Sequence, residues 1–528
     1  MNYCTHSSSQ LFILLDKLKM IILLHNCVDD THKSHSVTLF LLDMPDCVEK
    51  KHTSPINEVS ELSDFDREKV DPELVCKENW NCKDNDGPKV LVCHDMEGGY
   101  RDDKFVGGTD NPDFYNFYHW AQIDIFVYFS HHLVTIPPLM WIETAHKNGV
   151  KVLGTFITEW DHGANNCLTM FGSVQSSIHF AKQLADIALT YNFDGWLINI
   201  ENVLTVDGVE NIQVFLQYLT QEMKESNPLS SIIWYDAVTN EGKLEWQDSV
   251  TDLNSCFFRC CDGIFLNYTW KDWKLELTLE LCIDKPLDVF VGIDVFARGC
   301  IGKFECHIST EKIIDYGFSV ALFATAWCYE QTKPDFPSFI KHNNRFWNLL
   351  QPTCSPKPLT LTQDEKYVTE FNFGFGKKAY RYGFLLSLKS WFNLSKQDVP
   401  FINFINDDKL STSINDEQAF ESSTCLQVDF LEGTSYDNLI CLDMSRRKCG
   451  EMILVCKSLN DSQMKDLKML VTEKNGIQHS LHQEQNMFIG GNHWRRITFP
   501  LNDALNIKWI GLKFEKKRQI ILLGQLSC

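Results

Sequence analysis

Tyr191-Asn-Phe-Asp-Gly-Trp-Leu-Ile-Asn-Ile-Glu-Asn202 is the stretch whose reading decides the fold. Phe193-Asp194-Gly195 reads as a turn, Trp196 to Ile200 as a buried strand, and Glu201-Asn202 as a polar exit. An apolar run that ends in a carboxylate suits a parallel barrel strand, whose C-terminal end opens into an active site. Side chains alternate along a strand, so Asn199 and Glu201 face the same side, about 7 Å apart at ~3.3 Å per residue. An amide and a carboxylate therefore converge on one spot.

Working outward, short apolar runs alternate with helical patterns from Val90 onward, the signature of a parallel α/β fold. Eight strands are expected: 90–93, 123–129, 150–157, 196–200, 231–235, 263–266, 289–293 and 320–325. Ile178 to Tyr191 and Val209 to Lys224 carry apolar residues at helical spacing, and a last helix is expected over Pro337 to Leu350 with its proline in the first turn. Eight such units over roughly 265 residues predict a (β/α)8 TIM barrel at 88–352. A doubly wound open sheet is the alternative, disfavoured because no GxGxxG turn follows the first strand. The strand ends are polar or aromatic throughout, among them His94-Asp95, His131-His132, Thr158-Glu159-Trp160, Trp234-Tyr235-Asp236, Asn267-Tyr268-Thr269-Trp270 and Asp294 to Arg298. They predict a wide cleft for a neutral ligand.

Residues 1–87 have no sustained period and are expected to form a poorly ordered arm, with apolar runs at Leu11 to Leu24 and Val37 to Met44 before an acidic segment. Asp16, Lys17 and Lys19 interrupt the first run, which suits neither a signal peptide nor a membrane span. After Leu350 a proline-rich link leads into 353–528, where short alternating segments and glycine turns predict an accessory β-sandwich region of one or two modules. The net charge of -21 and pI near 5.2 argue against nucleic acid or an anionic membrane as partner. The 20 cysteines are scattered, many within apolar strands, and read as reduced structural thiols of a cytosolic protein. Adjacent His131-His132 and the His94-Asp95 pair lack a metal-binding frame and read as core or rim residues.

A glycosidase ordinarily needs two carboxylates, but this strand offers one carboxylate and an amide. The pair makes sense if the substrate supplies its own nucleophile, the 2-acetamido oxygen of an N-acetylglucosamine. Asn199 then orients the acetamide, and Glu201, with a pKa raised by desolvation, donates and later accepts the proton.

The motifs FDGWLINIEN (193–202), HDMEGGYRDDKFVGG (94–108), FYHWAQIDIFVYFSHHLVTIPP (117–138), GVKVLGTFITEW (149–160), IIWYDAV (232–238), CDGIFLNYTW (261–270) and DVFVGIDVFARG (288–299) together resemble glycoside hydrolase family 85, the cytosolic endo-β-N-acetylglucosaminidases. A weaker likeness continues through Trp391 to Ser395, Gln397 and Pro400 of that family's sandwich module. The resemblance implies a retaining enzyme, without cofactor, that cuts the β-1,4 bond in the N,N'-diacetylchitobiose core of N-glycans, on glycopeptides or free oligosaccharides. Carried over by motif, it implies Glu201 as acid/base, Asn199 as the acetamide-orienting residue and Tyr235 as an assisting hydroxyl. It implies Trp160, Trp234, Asn267 and Trp270 as glycan contacts, and Glu159 as a binding carboxylate. A chitinase-like hydrolase would have acidic residues where Leu197 and Asn199 stand. A non-catalytic glycan-binding barrel is the other alternative.

Overall fold

The computed structural model describes residues 10–15, 20–29 and 32–41 by their backbone, and residues 51–77, 86–333, 335–358, 360–361, 366–407, 409–430, 435–447, 450–460, 464–501, 505–514 and 518–528. Two units are distinct, 1–50 and 51–528. In the first, Gln10–Leu15, Met20–Asp29 and His32–Leu41 form a three-stranded antiparallel sheet with Met20–Asp29 in the middle.

In the second unit, eight parallel strands close into a barrel: β1 (Val90–His94), β2 (Ile125–Tyr128), β3 (Lys151–Thr158), β4 (Gly195–Ile200), β5 (Ser231–Tyr235), β6 (Gly263–Leu266), β7 (Val289–Asp294) and β8 (Ser319–Phe323). Each pairs with the next, and β8 pairs back onto β1, so the sheet has no free edge among these strands. All eight fall where the apolar runs place them, within two residues at most ends.

The helices follow from caps as well as from periodicity. Val174–Tyr191 starts at a reciprocal Ser173–Ser176 box and stops at Asn192, whose left-handed backbone (φ 61°) is a conformation asparagine tolerates. Phe336–Leu350 starts where the Asp335 side chain accepts from the Ser338 amide, with Pro337 in the first turn. Their apolar faces pack on the outward side chains of the strands; the Trp196 indole, for example, donates to the Leu184 carbonyl at 3.1 Å.

Residues 51–77, expected to be loose, lie against the barrel instead. Ile56 exchanges two backbone hydrogen bonds with Val134, both 3.0 Å, and Leu62 and Cys76 are fully buried. The acidic composition of this segment disguised a few well-spaced apolar anchors, which suffice to dock it on an existing surface.

Beyond the barrel, most strands between 360 and 527 alternate between a six-stranded and a seven-stranded sheet, mostly antiparallel, whose buried faces share the molecule's main apolar core, and two short two-stranded sheets lie within 375–392. Gln397 joins this sandwich to the barrel. Its amide accepts from the Trp120 indole at 3.0 Å and donates to Asn116 Oδ1 at 2.5 Å and the Phe117 carbonyl at 2.9 Å, all buried. Among the described residues twelve cysteines, from Cys93 to Cys456, are free thiols, and all of these but Cys256 are buried. Among the described residues no helix is long and apolar enough to cross a membrane.

Candidate active site

Strand alternation builds the site. Trp196 faces the helices, so Leu197 and Asn199 face the barrel axis, and Glu201 follows on the same side one step beyond the last paired residue. The register sets Ile198 beside Trp234 and therefore Asn199 level with Tyr235; Tyr235 is in turn level with Phe265 on β6. The amide, the carboxylate and the phenol thus open on one mouth.

Asn199 is buried, and its Nδ2 donates to Glu201 Oε1 at 3.1 Å. Its Oδ1 is buried and meets no hydrogen-bond donor among the described residues. A buried amide oxygen left without a donor costs roughly 1–3 kcal/mol, which makes it a site prepared for an N–H from outside. Burial raises the Glu201 carboxyl above its ordinary pKa; the Asn199 amide opposes this by favouring the carboxylate, the negative Glu159 adds to it, and His131 works against it.

The Tyr235 hydroxyl donates to Asn267 Oδ1 at 2.9 Å, and Asn267 Nδ2 donates to Asp248 Oδ1 at 2.8 Å. Asp248 also accepts from the Thr269 backbone amide and hydroxyl and pairs with Lys274 at 2.9 Å. This chain crosses three loops and fixes the phenol's direction. Burial keeps the Tyr235 hydroxyl protonated far beyond its ordinary range.

Glu159, at the end of β3, is largely enclosed and pairs with His131 Nδ1 at 3.0 Å. That bond to Glu159 raises the histidine's pKa. Trp160 is 82% exposed and holds a left-handed backbone, φ 57°. Its carbonyl accepts from Asn202 Nδ2 at 2.8 Å, and Gly163 is needed nearby because a Cβ there would overlap Asn202 Oδ1. A large apolar side chain held out in solvent on a strained backbone is a feature of binding sites.

Two expected glycan contacts are elsewhere. Trp234 has no exposed surface and stacks on Phe257 at 4.5 Å; the alternation that turns Tyr235 into the mouth turns its neighbour toward the helices. Trp270 is buried behind β7, its indole donating to the Gly292 carbonyl at 2.8 Å. Asn267 does reach the mouth, but both ends of its amide are engaged by Tyr235 and Asp248, so it positions the phenol. His131, which the sequence marks only as a core or rim histidine, stands at the mouth beside Glu159. Asp248, which fixes Asn267, lies in a long loop whose sequence carries no signal. His94 is a core residue, enclosed by Tyr115, Phe126, Tyr128 and Trp141, and burial depresses its pKa to about 3.

A sequence profile of glycosyl hydrolase family 85 matches residues 100–379. The chain is 44% identical over 336 residues to cytosolic endo-beta-N-acetylglucosaminidase 2 of Arabidopsis thaliana, covering 63% of this chain and 47% of that protein. It is 41% identical over 354 residues to the cytosolic endo-beta-N-acetylglucosaminidase of Mus musculus, covering 66% and 46%. The chain spans about half the length of the curated relatives it matches. Among solved structures, the glycoside hydrolase domain of Endo-D from Streptococcus pneumoniae R6 shares the fold, with a TM-score of 0.70 at 19% identity over 90% of this chain and 83% of that one.

Proposed function

The chain belongs to glycosyl hydrolase family 85, and from that premise and the geometry above we propose that it is an endo-β-N-acetylglucosaminidase. It hydrolyses the β-1,4 bond within the N,N'-diacetylchitobiose core of N-glycans, on glycopeptides or free oligosaccharides, and leaves one N-acetylglucosamine on the acceptor side. The relatives' names and the free cysteines support the cytosol as its place of action.

The observation that carries this reading is the orphaned Asn199 Oδ1 beside Glu201. In the first step the substrate's acetamido oxygen attacks the anomeric carbon. The bond from that carbon to the leaving oxygen breaks, and Glu201 delivers its proton to the leaving oxygen. Positive charge then develops on the acetamido nitrogen, whose N–H is held by Asn199 Oδ1. In the second step Glu201, now a carboxylate, takes a proton from water as the water oxygen attacks the anomeric carbon and reopens the oxazoline ring. Two inversions give net retention, and Glu201 ends protonated as it began. Tyr235, aimed by Asn267, contacts the acetamido group and helps exclude other poses. Trp160 offers a flat apolar face to a sugar ring or to the aglycone.

Mass spectrometry of a high-mannose glycopeptide incubated with the chain and with Glu201→Gln tests the reading. The expected result is a single N-acetylglucosamine left on the peptide by the unsubstituted chain alone. Binding without cleavage would make this a lectin-like relative, and cleavage of chitin oligomers with intact N-glycans would favour a chitinase.

A further inference from the structure

A groove of about 390 Å³ runs along the outside of the mouth between the ends of β2 and β3 and the 51–77 arm. Its size lies within the range of small-ligand sites. One wall is the arm, which the Ile56–Val134 bonds anchor, so that Asn57 and Glu58 stand opposite the barrel loops. Three polar pairs line it. Glu58 meets His162 Nε2 at 3.3 Å, Asn57 Oδ1 accepts from His132 Nδ1 at 2.6 Å, and Glu159 meets His131 Nδ1 at 3.0 Å. Trp160 closes the end.

This lining selects a chemical class. No Lys or Arg among the described residues borders the groove, which disfavours phosphate or another anion. Among the described residues no three His, Cys, Asp or Glu gather in a metal-binding group, which disfavours a cation as the ligand. What remains is a dense set of donors and acceptors, each oriented by a protein partner yet with spare hydrogen-bonding capacity, beside an exposed indole. Vicinal hydroxyls of a neutral sugar match that capacity, and the sugar's C–H face matches the indole. The groove also adjoins the reacting centre. Glu159 lines it while its charge acts on Glu201, and the Glu201 amide donates to the Thr158 carbonyl at 2.8 Å. Asn57 and Glu58 lie before residue 100, where the family match begins.

We propose that this groove is an outer sugar subsite, in which Asn57 and Glu58 of the 51–77 arm select glycans that carry further neutral hexose units beyond the core. The inference rests on the endoglycosidase reading above and assigns a part of the chain outside the family match to substrate choice. Asn57 and Glu58 stand on the arm wall of the groove, paired with His132 and His162 rather than with Glu159 or Glu201, so their contribution falls on binding of large glycans and leaves the chemical step as it is.

The test compares Asn57→Ala/Glu58→Ala with the unsubstituted chain on two fluorescent asparagine-linked glycans, one with full high-mannose branches and one trimmed to three mannoses. KM for the large glycan is expected to rise about tenfold with kcat within twofold, while kcat/KM for the trimmed glycan stays within twofold. Glu58→Gln, which keeps the side chain's shape, is expected to move in the same direction by a smaller factor. An equal change on both glycans, or none on either, overturns the proposal. If the unsubstituted chain turns over neither glycan, the catalytic reading has failed. Calorimetric binding to Glu201→Gln with and without the two arm substitutions then decides the subsite alone. A loss confined to the large glycan upholds it, and equal binding by both proteins, or none at all, overturns it.

Discussion

Asn199→Ala removes two interactions at once, and the structure separates their consequences. The first is the Oδ1 acceptor, buried, preorganised and without a donor among the described residues. A preorganised group aimed at charge that develops only in the transition state is worth about 2.7–4 kcal/mol, or about 10²–10³ in kcat. The second is the Nδ2 hydrogen bond to Glu201 Oε1, 3.1 Å long, which favours the carboxylate and so opposes the rise in pKa that burial imposes. Without it the Glu201 proton is held more tightly. The first step needs Glu201 protonated, so the alkaline limb of the kcat/KM profile is expected to move to higher pH while the plateau drops. Stability should change little, because the substitution also deletes an unsatisfied buried oxygen. The assay is steady-state hydrolysis of a fluorescent asparagine-linked glycan between about pH 4 and 9, with thermal unfolding of both proteins as control. A kcat within fivefold of the unsubstituted chain, or a loss borne by KM alone, would refute the orienting role. An alkaline limb moving to lower pH would refute the hydrogen bond to the charged carboxylate. Asn199→Asp retains an acceptor and is expected to recover part of the plateau.

Further expectations follow from the same geometry. Glu159→Gln removes a negative charge that raises the Glu201 pKa, so the alkaline limb should move to lower pH; an unchanged pH–rate profile would count against Glu159 facing the acid/base. Trp160→Ala should raise KM about twofold to twelvefold, the worth of one aromatic contact at about 0.5–1.5 kcal/mol, with unfolding unaffected. Trp234→Ala should do the reverse: about 3–5 kcal/mol lost in chemical denaturation and KM close to normal, and a KM effect without destabilisation would return this residue to the ligand. Gln397→Ala strands the Trp120 indole and two buried oxygen acceptors, about 3 kcal/mol or more; limited proteolysis should then release the 353–528 region earlier than in the unsubstituted chain.

Sequence by itself determined the barrel and the reacting pair. Both depend on short-range pattern: apolar runs of strand length with polar ends, capped helices between them, and two residues of one strand separated by a single step. Asn199 and Glu201 converge whatever the rest of the chain does, because the period of a strand is set by its backbone. The same period, applied to Ser231–Tyr235, already implied that Trp234 and Tyr235 face opposite ways, and weighing both for their chemistry obscured it. Tertiary structure alone decided everything that rests on pairs far apart in the chain. Asp248 fixes Asn267 and through it Tyr235; Gln397 meets Trp120; Asn57 and Glu58 reach His132 and His162 across 75 and 104 positions. Such hydrogen bonds leave no periodic trace, since one polar residue in a loop reads like any other until folding brings its partner within about 3 Å.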